Sequence, residues 1–314
     1  MAIRDPLGMS STHPTQSALS ALDGAPVWLN SEPLTAEELR GRVVVVDIWT
    51  YSCVNWLRTL PYVSAWAERY RERGLVVVGV HCPEFGFEHE LDNVRHATRQ
   101  LSVDYPVVID NDFDIWQSLA NRYWPALYLV DRDGRIRFHH FGEGNYEETE
   151  RAIQQLLGVD EETVRVDAGG LAEAADWDTL RTGETYVGYG RGTGRVDSPA
   201  HLALNHWAVS GDWAVEEESA VLSAAGGSVT FRFHARDLNL VLAPPAAGAP
   251  VSFTVLLDGR PPGHDHGLDI NELGEGTVDE PRMYQLVRQR GAAERAFEIT
   301  FLDPGVRAYV FTFG

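Results

Sequence analysis

Lysine is absent from the sequence, and all 26 basic residues among its 314 are arginines. This absence excludes Schiff-base chemistry and the phosphate-binding lysine of P-loop proteins. Acidic residues number 46, so the formal net charge is −20 at pH 7. A chain this acidic is poorly suited to the phosphate backbone of nucleic acids and to anionic membrane surfaces. We therefore expect neither nucleic acid nor membrane among its partners.

Cysteine is scarce, and long apolar runs are missing. The two cysteines, Cys53 and Cys82, are too few for a scaffold built from disulfides, which favours a cytoplasmic location. The longest apolar runs, such as Val43–Val46, have the length of a strand, whereas a membrane-spanning helix needs about 20 apolar residues. The sequence therefore predicts no membrane span.

Residues 27–158 alternate between strand-like and helix-like patterns, after a lead-in over residues 1–26 that is predicted to be flexible. Apolar, β-branched strands are predicted at Val43–Trp49 and Leu75–Val80, with a helix between them. Asp133-Gly134 lies between two later strands and indicates a β-hairpin. The alternation predicts an α/β domain with a partly parallel sheet, one edge of which is formed by the antiparallel hairpin.

The composition changes after residue 158. Residues 159–180 are acidic and rich in alanine and glycine, which is typical of a linker. Residues 181–314 contain short strands separated by turn residues, such as Asp258-Gly259 and Pro244-Pro245. This pattern predicts an all-β sandwich of jelly-roll type, which could also mediate a homodimer.

The chemistry of the first domain is predicted to centre on Cys53. This cysteine follows the strand Val43–Trp49 and precedes a helix, where unpaired backbone N–H groups and the helix dipole favour the thiolate. Pro61 lies eight residues later, within that helix. The dipeptide Trp124-Pro125 precedes a later strand, where it suits a cis-proline.

Together these residues resemble the thioredoxin arrangement, and the segment is similar to the TlpA/DipZ-like thioredoxin family. The resemblance extends beyond residue 160, because Thr185–Tyr189, Phe231–Arg236 and Phe301–Gly305 resemble motifs of the carbohydrate-binding-module-like domain of DipZ-type proteins. It implies a thioredoxin-like domain followed by a β-sandwich, with thiol-dependent redox activity. The sequence departs from the family where a dithiol oxidoreductase needs the second cysteine of Cys-x-x-Cys, because Trp56 occupies that position.

Cys82 is the second candidate catalytic residue. It comes shortly after the strand Leu75–Val80. The carboxyl ends of parallel strands open onto one edge of a sheet, which is also the edge that carries Cys53. Two interpretations are open here: Cys82 is a displaced resolving thiol, or it is a small half-buried residue with no role in the chemistry.

Seven further residues are predicted to line a substrate groove around the cysteine: Thr50, Tyr51, Trp56, Trp124, Pro125, His81 and Glu84. Trp56 and Trp124 are expected at the rim of this groove. Together with Tyr51 and Tyr123, they would form an apolar pocket for a small organic substrate. The alternative is that these aromatic residues pack the domain or cover the peptide of a partner.

Two other chemistries remain as alternatives at this site. Thr50 lies three residues before Cys53, as in peroxiredoxins, but the proline expected earlier in that pattern is replaced by Val46. A zinc or copper(I) site could join Cys53, Cys82 and His81, although their spacing matches no ligand motif.

One segment of the second domain resembles a calcium-binding loop. Asp269, Asn271, Gly274 and Glu280 match four positions of the EF-hand pattern, while Leu273 occupies a position that should supply an oxygen ligand. The candidate calcium ligands are Asp269, Asn271, Glu275, Thr277 and Glu280. A glycine-rich surface turn is the alternative.

Aromatic residues of the second domain suggest a glycan as a further partner. Trp207, Trp213, Tyr186 and Tyr189 are candidates for stacking on sugar rings, with core packing as the alternative.

The leading functional hypothesis is a thiol-dependent oxidoreductase-like enzyme with Cys53 as its single nucleophile. It would require no cofactor, would be recycled by an external thiol, and would act on a thiol, a disulfide or a small organic substrate. Two alternatives remain open: a non-catalytic module that binds a peptide, glycan or metabolite, and a repurposed redoxin that performs non-redox chemistry in an aromatic pocket.

Overall fold

The chain folds into two units, and the boundary between them lies between Glu173 and Ala174 in the sequence. The computed structural model describes residues 19–245 and 248–314. Within these two ranges, no helix combines the length and the apolar character that crossing a membrane requires.

The first unit is built on a six-stranded mixed sheet with the strand order β1-β4-β3-β2-β5-β6. Its strands are β1 Trp28–Leu29, β2 Val43–Trp49, β3 Leu75–His81, β4 Val107–Ile109, β5 Ala126–Val130 and β6 Ile136–Phe141. Strands β2, β3 and β4 are parallel, and β5 and β6 form an antiparallel hairpin at one edge. The prediction of a partly parallel sheet that ends in a hairpin is confirmed. The two-residue strand β1, antiparallel to β4 at the other edge, was not predicted.

Four α-helices accompany this sheet: α1 Val54–Tyr70, α2 Leu91–Gln100, α3 Asp114–Ser118 and α4 Tyr146–Leu157. Helix α1 begins immediately after Cys53 and contains Pro61. A 3₁₀ turn, Arg71–Arg73, extends it to Gly74, whose φ of 95° is the left-handed conformation that ends many helices.

The central strand β2 is buried along its whole length. Because side chains alternate along a strand, Val44, Val46 and Ile48 join one apolar core. Asp47 and Trp49 point to the opposite face, where both contact Trp56 of α1. This alternation decides which residues reach the face that carries α1.

The predicted lead-in falls mainly outside the described residues, which begin at Leu19. Its last part belongs to the fold of the first unit, because Leu19 and Leu22 are buried in that unit's apolar core.

The predicted linker, residues 159–180, is divided between the two units. Its first part is held by the first unit: Glu161 pairs with Arg69 and Arg73 of the α1 region, and the backbone N–H of Val164 donates to Glu150 of α4.

The second unit is one curled antiparallel sheet of nine strands. They are β7 Thr185–Tyr186, β8 Trp207–Ser210, β9 Trp213–Val215, β10 Ala220–Leu222, β11 Ser228–Ala243, β12 Val251–Leu257, β13 Glu275–Val278, β14 Arg282–Phe301 and β15 Arg307–Phe313. The hydrogen-bonded order is β13-β12-β14-β11-β15-β10-β9, with β7 on β15 and β8 on β11. The all-β prediction is confirmed.

The sheet of the second unit curls around its own apolar core. Strands β11 and β14 are 16 and 20 residues long and pair with each other along most of their length. The register shifts between Ala235 and Asp237, where a bulge bends the strand. Before the bulge β11 also pairs with β8, and beyond it with β15. The two long bent strands therefore join the two parts of the curled sheet.

Candidate functional site

Cys53 is the N-cap residue of α1 and is partly exposed. Its carbonyl accepts the N–H of Leu57 at 3.0 Å, the first turn of the helix, and its own N–H donates to the Thr50 carbonyl at 3.3 Å. The first turn of α1 contains no acidic side chain. Cys53 therefore lies at the positive end of the dipole of a 17-residue helix, a position at which helices in general stabilise thiolates.

The Trp124–Pro125 peptide bond is cis, as predicted. It leads into β5, whose first residue Ala126 lies opposite Ile48 near the end of β2. The cis-proline and the segment that leads to Cys53 therefore lie at the same end of the sheet. The Trp124 side chain is half-buried and donates its indole N–H to the Cys82 carbonyl at 3.0 Å.

A buried ion pair connects the cis-proline segment to α1. Arg58 of α1 and Glu143 are both almost fully buried, with 3.2 Å between their charged groups. Glu143 follows Gly142, whose N–H donates to the Pro125 carbonyl at 2.8 Å. Losing either partner would leave a buried charge uncompensated, so this pair fixes the proline segment relative to the helix.

Trp56 lies in the interior, and the prediction that it forms the rim of a groove is wrong. Its side chain is fully buried and stacks on Trp49, with 4.1 Å between ring centroids. Its indole N–H donates to the Asp47 carboxylate at 3.1 Å. The reason is the position on α1: three residues after the N-cap, one turn of helix directs the side chain down onto the sheet.

Asp47 is a buried carboxyl that the sequence analysis missed. It accepts hydrogen bonds from Trp56 and from the Tyr105 hydroxyl, both at 3.1 Å. Burial raises its pKa to about 7, although these two hydrogen bonds oppose the shift. Gly79 lies opposite Asp47 on β3, and a Cβ there would lie 2.8 Å from the Trp49 indole nitrogen. The signal in the sequence was a single aspartate within an otherwise apolar strand.

Cys82 is fully buried in the apolar core on the other face of the sheet, together with Val80. Its thiol donates to the Asp110 carboxylate at 3.4 Å. Burial, followed by the adjacent Asp110 charge, raises the pKa of the Cys82 thiol well above its ordinary value. A buried thiol that resists deprotonation is a poor nucleophile, so the structure does not support Cys82 as a resolving thiol.

Thr50, Tyr51 and His81 are also buried, so they cannot line an open groove in this structure. The His81 ring lies edge-on to Trp49 and is stacked with Tyr51, with centroid distances of 4.9 and 5.8 Å. Burial lowers the pKa of His81 to about 3, so its imidazole is neutral at physiological pH. The buried side chains of Thr50 and Tyr51 anchor the segment before Cys53 in the interior, where Tyr51 stacks on His81.

Glu88 is a second buried carboxyl that the sequence analysis missed. One of its oxygens accepts from the Ser52 hydroxyl at 2.6 Å, and the other accepts from the Glu84 backbone N–H at 2.6 Å. Burial raises its pKa to about 7. Glu84, predicted to line the groove, is half-buried and contributes here through its backbone.

Exposed aromatic side chains lie beside the cis-proline. Tyr123 is 47% exposed and contacts Phe141 of the edge strand β6, with 5.1 Å between ring centroids. Trp124 contacts Trp116 at 4.3 Å. Of the residues predicted for the rim, only Trp124 is accessible, and its accessible neighbours are Tyr123 and Phe141.

Four of the five side chains predicted to bind calcium, those of Asp269, Asn271, Glu275 and Glu280, are engaged with one another or with arginine. Arg282 pairs with Asp269 at 2.8 Å and with Glu280 at 3.0 Å, while the Asn271 amide donates to Glu275 at 3.0 Å. No cluster of three or more His, Cys, Asp or Glu side chains suited to a metal ion occurs in the described ranges. Calcium binding stays a prediction, and it would require Arg282 to release two carboxylates.

The aromatic residues proposed for glycan stacking differ in accessibility. Trp207 is fully buried, which supports the core-packing alternative, and Trp213 is partly buried against the core. Tyr189 is 69% exposed, and Tyr186 lies under the Arg191 guanidinium at 3.8 Å. Glycan binding stays a prediction that rests on the two tyrosines.

Two family models match the chain. Residues 15–157 match a redoxin model, and residues 182–314 match a model described as a thioredoxin like C-terminal domain. These matched ranges agree with the division of the structure into two units.

Individual relatives agree with the family models. Protein DipZ from Mycobacterium bovis is 33% identical over 93% of this chain, which spans 42% of that protein. The thiol-disulfide oxidoreductase YkuV from Bacillus subtilis is 26% identical over 45% of this chain and 94% of its own length. A solved structure of a thioredoxin-like protein in its oxidised form aligns with a TM-score of 0.42 and 25% identity, over 46% of this chain and 97% of that one. The chain therefore consists of a redoxin domain followed by a thioredoxin-like C-terminal domain, and it is similar to DipZ over both.

Proposed function

We propose that the protein is a single-cysteine thiol–disulfide oxidoreductase in which Cys53 is the nucleophile. One observation carries this proposal: Cys53 is partly exposed at the N-terminus of α1, while Trp56 fills the position of a resolving thiol. The thiol-disulfide oxidoreductase-like family of the chain supports the reaction type. The burial of Cys82 supports the use of a single cysteine.

The reaction divides into two exchanges. The Cys53 thiolate attacks one sulfur of a substrate disulfide, the sulfur–sulfur bond breaks, and the other sulfur leaves as a thiolate. Cys53 then carries a mixed disulfide. An external low-molecular-weight thiolate attacks the substrate-derived sulfur of this mixed disulfide, which releases Cys53 as a thiolate and forms a new disulfide. The electrons come from the external thiol, and no bound cofactor is required.

Trp56 distinguishes this cycle from that of a dithiol enzyme. In a dithiol enzyme, the second cysteine attacks the mixed disulfide from within the protein. Here the buried indole is held by Asp47 and by stacking on Trp49, and it has no sulfur to offer. The mixed disulfide therefore persists until an external thiol arrives, and the rate of the second exchange depends on the concentration of that thiol.

The aromatic side chains beside the cis-proline are suited to the part of the substrate that carries the disulfide. Tyr123, Trp124 and Phe141 are accessible at the sheet end that leads to Cys53. Aromatic rings there would favour a substrate with apolar groups next to its sulfur.

The test is turnover of a glutathione-containing mixed disulfide with glutathione as the external thiol. Replacing Cys53 with serine should lower turnover by at least about 100-fold, because a hydroxyl is a far weaker nucleophile than a thiolate. Cys82→Ser is the matched control, since its hydroxyl can still donate to Asp110, and its turnover should stay within about twofold of the native rate. Native turnover in Cys53→Ser would refute the proposal.

A further inference from the structure

Glu88 connects two segments that flank the site. It lies in a 3₁₀ turn, Gly86–His89, that follows β3, and its side chain is fully buried. One carboxylate oxygen accepts the Ser52 hydroxyl at 2.6 Å and the Ser52 N–H at 3.4 Å. The other accepts the N–H groups of Glu84 and Phe85 at 2.6 and 3.0 Å. Four donors from two separate segments therefore converge on one carboxyl.

Ser52 immediately precedes Cys53 in the chain. Its N–H and hydroxyl are both directed to Glu88, while the Cys53 N–H is directed back to the Thr50 carbonyl. The direction in which the chain enters α1 therefore depends on where Glu88 holds Ser52. A displacement of Ser52 would turn the Cys53 side chain relative to the helix axis and to the cis-proline.

We propose that Glu88 is the positioning residue for Cys53, acting through Ser52 to hold the thiolate in the direction that disulfide exchange requires. This inference rests on the proposed function of Cys53. Glu88 acts on Cys53 indirectly, through the intervening residue Ser52, and not by contact with the reacting sulfur.

The ionised carboxylate is the form that performs this task. A carboxylate accepts hydrogen bonds at both oxygens, whereas a protonated carboxyl carries an O–H donor that conflicts with at least one of the four donors. The charged group acting on Glu88 is Glu84, which raises its pKa, while Ser52 and Thr50 lower it. His81, on the adjacent strand, is neutral, and His89 follows Glu88 on the exposed side of the turn.

Two rates measured on Cys53 separate positioning from thiol ionisation. The rate of mixed-disulfide formation with glutathione disulfide, followed by intact mass, requires an aligned attack on a bulky partner. The rate of alkylation by iodoacetamide reports mainly the fraction of thiolate. The ratio of the first rate to the second cancels the ionisation of Cys53 and retains the effect of its direction.

In the native protein this ratio should rise as the pH increases through about 7, where Glu88 ionises. In Glu88→Gln the ratio should be independent of pH in this range and about threefold to tenfold lower than native at about pH 8. Glu90→Gln removes the same charge from an exposed neighbour and should leave the native profile unchanged.

Ser52→Ala keeps the proposal testable if Glu88→Gln does not fold. It removes the hydroxyl that donates to Glu88 and should lower the ratio in the same direction by about twofold to fivefold. The double variant should be no worse than Glu88→Gln alone, because both changes break one connection. A native ratio in a folded Glu88→Gln or in Ser52→Ala would overturn the proposal. Turnover that survives in Cys53→Ser would instead refute the proposed function, so the two failures are distinguishable.

Discussion

The two cysteines follow adjacent parallel strands of one sheet, and yet their surroundings are opposite. Cys53 lies four residues beyond the end of β2, at the N-terminus of α1, and is partly exposed. Cys82 lies one residue beyond the end of β3, is fully buried and donates its thiol hydrogen to Asp110. The first is a helix N-terminus, which in general stabilises a thiolate, whereas burial and an adjacent carboxylate raise the pKa of the Cys82 thiol.

Strand alternation explains this difference. Cys82 continues the alternation of β3, so its side chain points the same way as Val78 and Val80, into the apolar core. His81 points the other way, to the face of Trp49 and α1. Cys53 has left the strand and begins a helix, so the alternation of β2 no longer governs it. Location at the same sheet end therefore does not bring two side chains together, because they must also share a face.

The largest effect should come from moving the second thiol to the correct face. Trp56→Cys places a thiol three residues after Cys53 on α1, and it should form a disulfide with Cys53 upon mild oxidation. The lifetime of the mixed disulfide without external thiol should fall by at least about 100-fold, because attack becomes intramolecular. Intact mass at successive times measures this lifetime. The variant should lose about 3–5 kcal/mol of stability with its buried aromatic ring.

Trp66→Cys is the matched control for that experiment. Trp66 is also fully buried in α1 and donates its indole N–H to a carboxylate, that of Glu150, at 3.1 Å. Its replacement should cost similar stability and leave the lifetime of the mixed disulfide unchanged. A native lifetime in a folded Trp56→Cys would show that the position of Trp56 is not that of a resolving thiol.

The second largest effect should come from Asp47, whose carboxylate accepts the indole N–H of Trp56. Because burial raises the pKa of Asp47 to about 7 from 3.8, the folded state holds a proton there that the unfolded state has lost. The free energy of unfolding should therefore fall as pH rises from about 4 to about 7, by roughly 1–4 kcal/mol. Asp47→Asn should remove the part of this fall that Asp47 contributes, since the amide oxygen can still accept from Trp56 and Tyr105. The part contributed by Glu88, whose pKa is also raised to about 7, should remain.

Urea unfolding at about pH 5 and about pH 8 measures this contribution in the native protein and the variant. Asp104→Asn, at an exposed position next to Tyr105, is the control and should retain the native pH dependence. If the native protein and Asp47→Asn lost the same free energy over this range, Asp47 would not be the group responsible.

The smallest effect should follow from removing the charge beside Cys82. Asp110→Asn should cost about 1 kcal/mol, because the amide cannot accept both N–H groups that Asp110 receives from Ile115 and Trp116. Alkylation of Cys82, measured in a Cys53→Ser background, should change by less than about threefold, since burial is the larger cause of its raised pKa. Rapid alkylation of the native fold would show that Cys82 is accessible and would weaken the contrast between the cysteines.

The sequence predicted the sheet of the first unit except for β1, because its central strands are largely apolar runs and its hairpin carries Asp133-Gly134. It predicted the cis-proline and the position of Cys53 from local motifs. It did not predict the long strands β11 and β14, since the bulge near Asp237 resembles a turn when only the local pattern is considered. Local sequence patterns determine where strands and helices form, whereas pairing between distant parts of the chain determines how long the strands are.

The site was predicted less completely than the fold. The alternation of side chains along β3 beyond Val80 could have shown on which face of the sheet Cys82 lies. The apolar residues on either side of Asp47 could have shown that its carboxyl is buried. The four donors that converge on Glu88 could not have been predicted, because they come from residues up to 36 positions away from Glu88 that only the folded chain brings together. The burial of Trp56 depends on the same tertiary packing.

The most direct test of single-cysteine chemistry is intact mass spectrometry after incubation with glutathione disulfide. Free thiols are alkylated with one reagent in the native state and with a second reagent after denaturation. We expect one glutathione on Cys53, with Cys82 modified only by the second reagent. A chain that has lost two hydrogens and takes up neither reagent would contain a disulfide between Cys53 and Cys82, and would contradict the account.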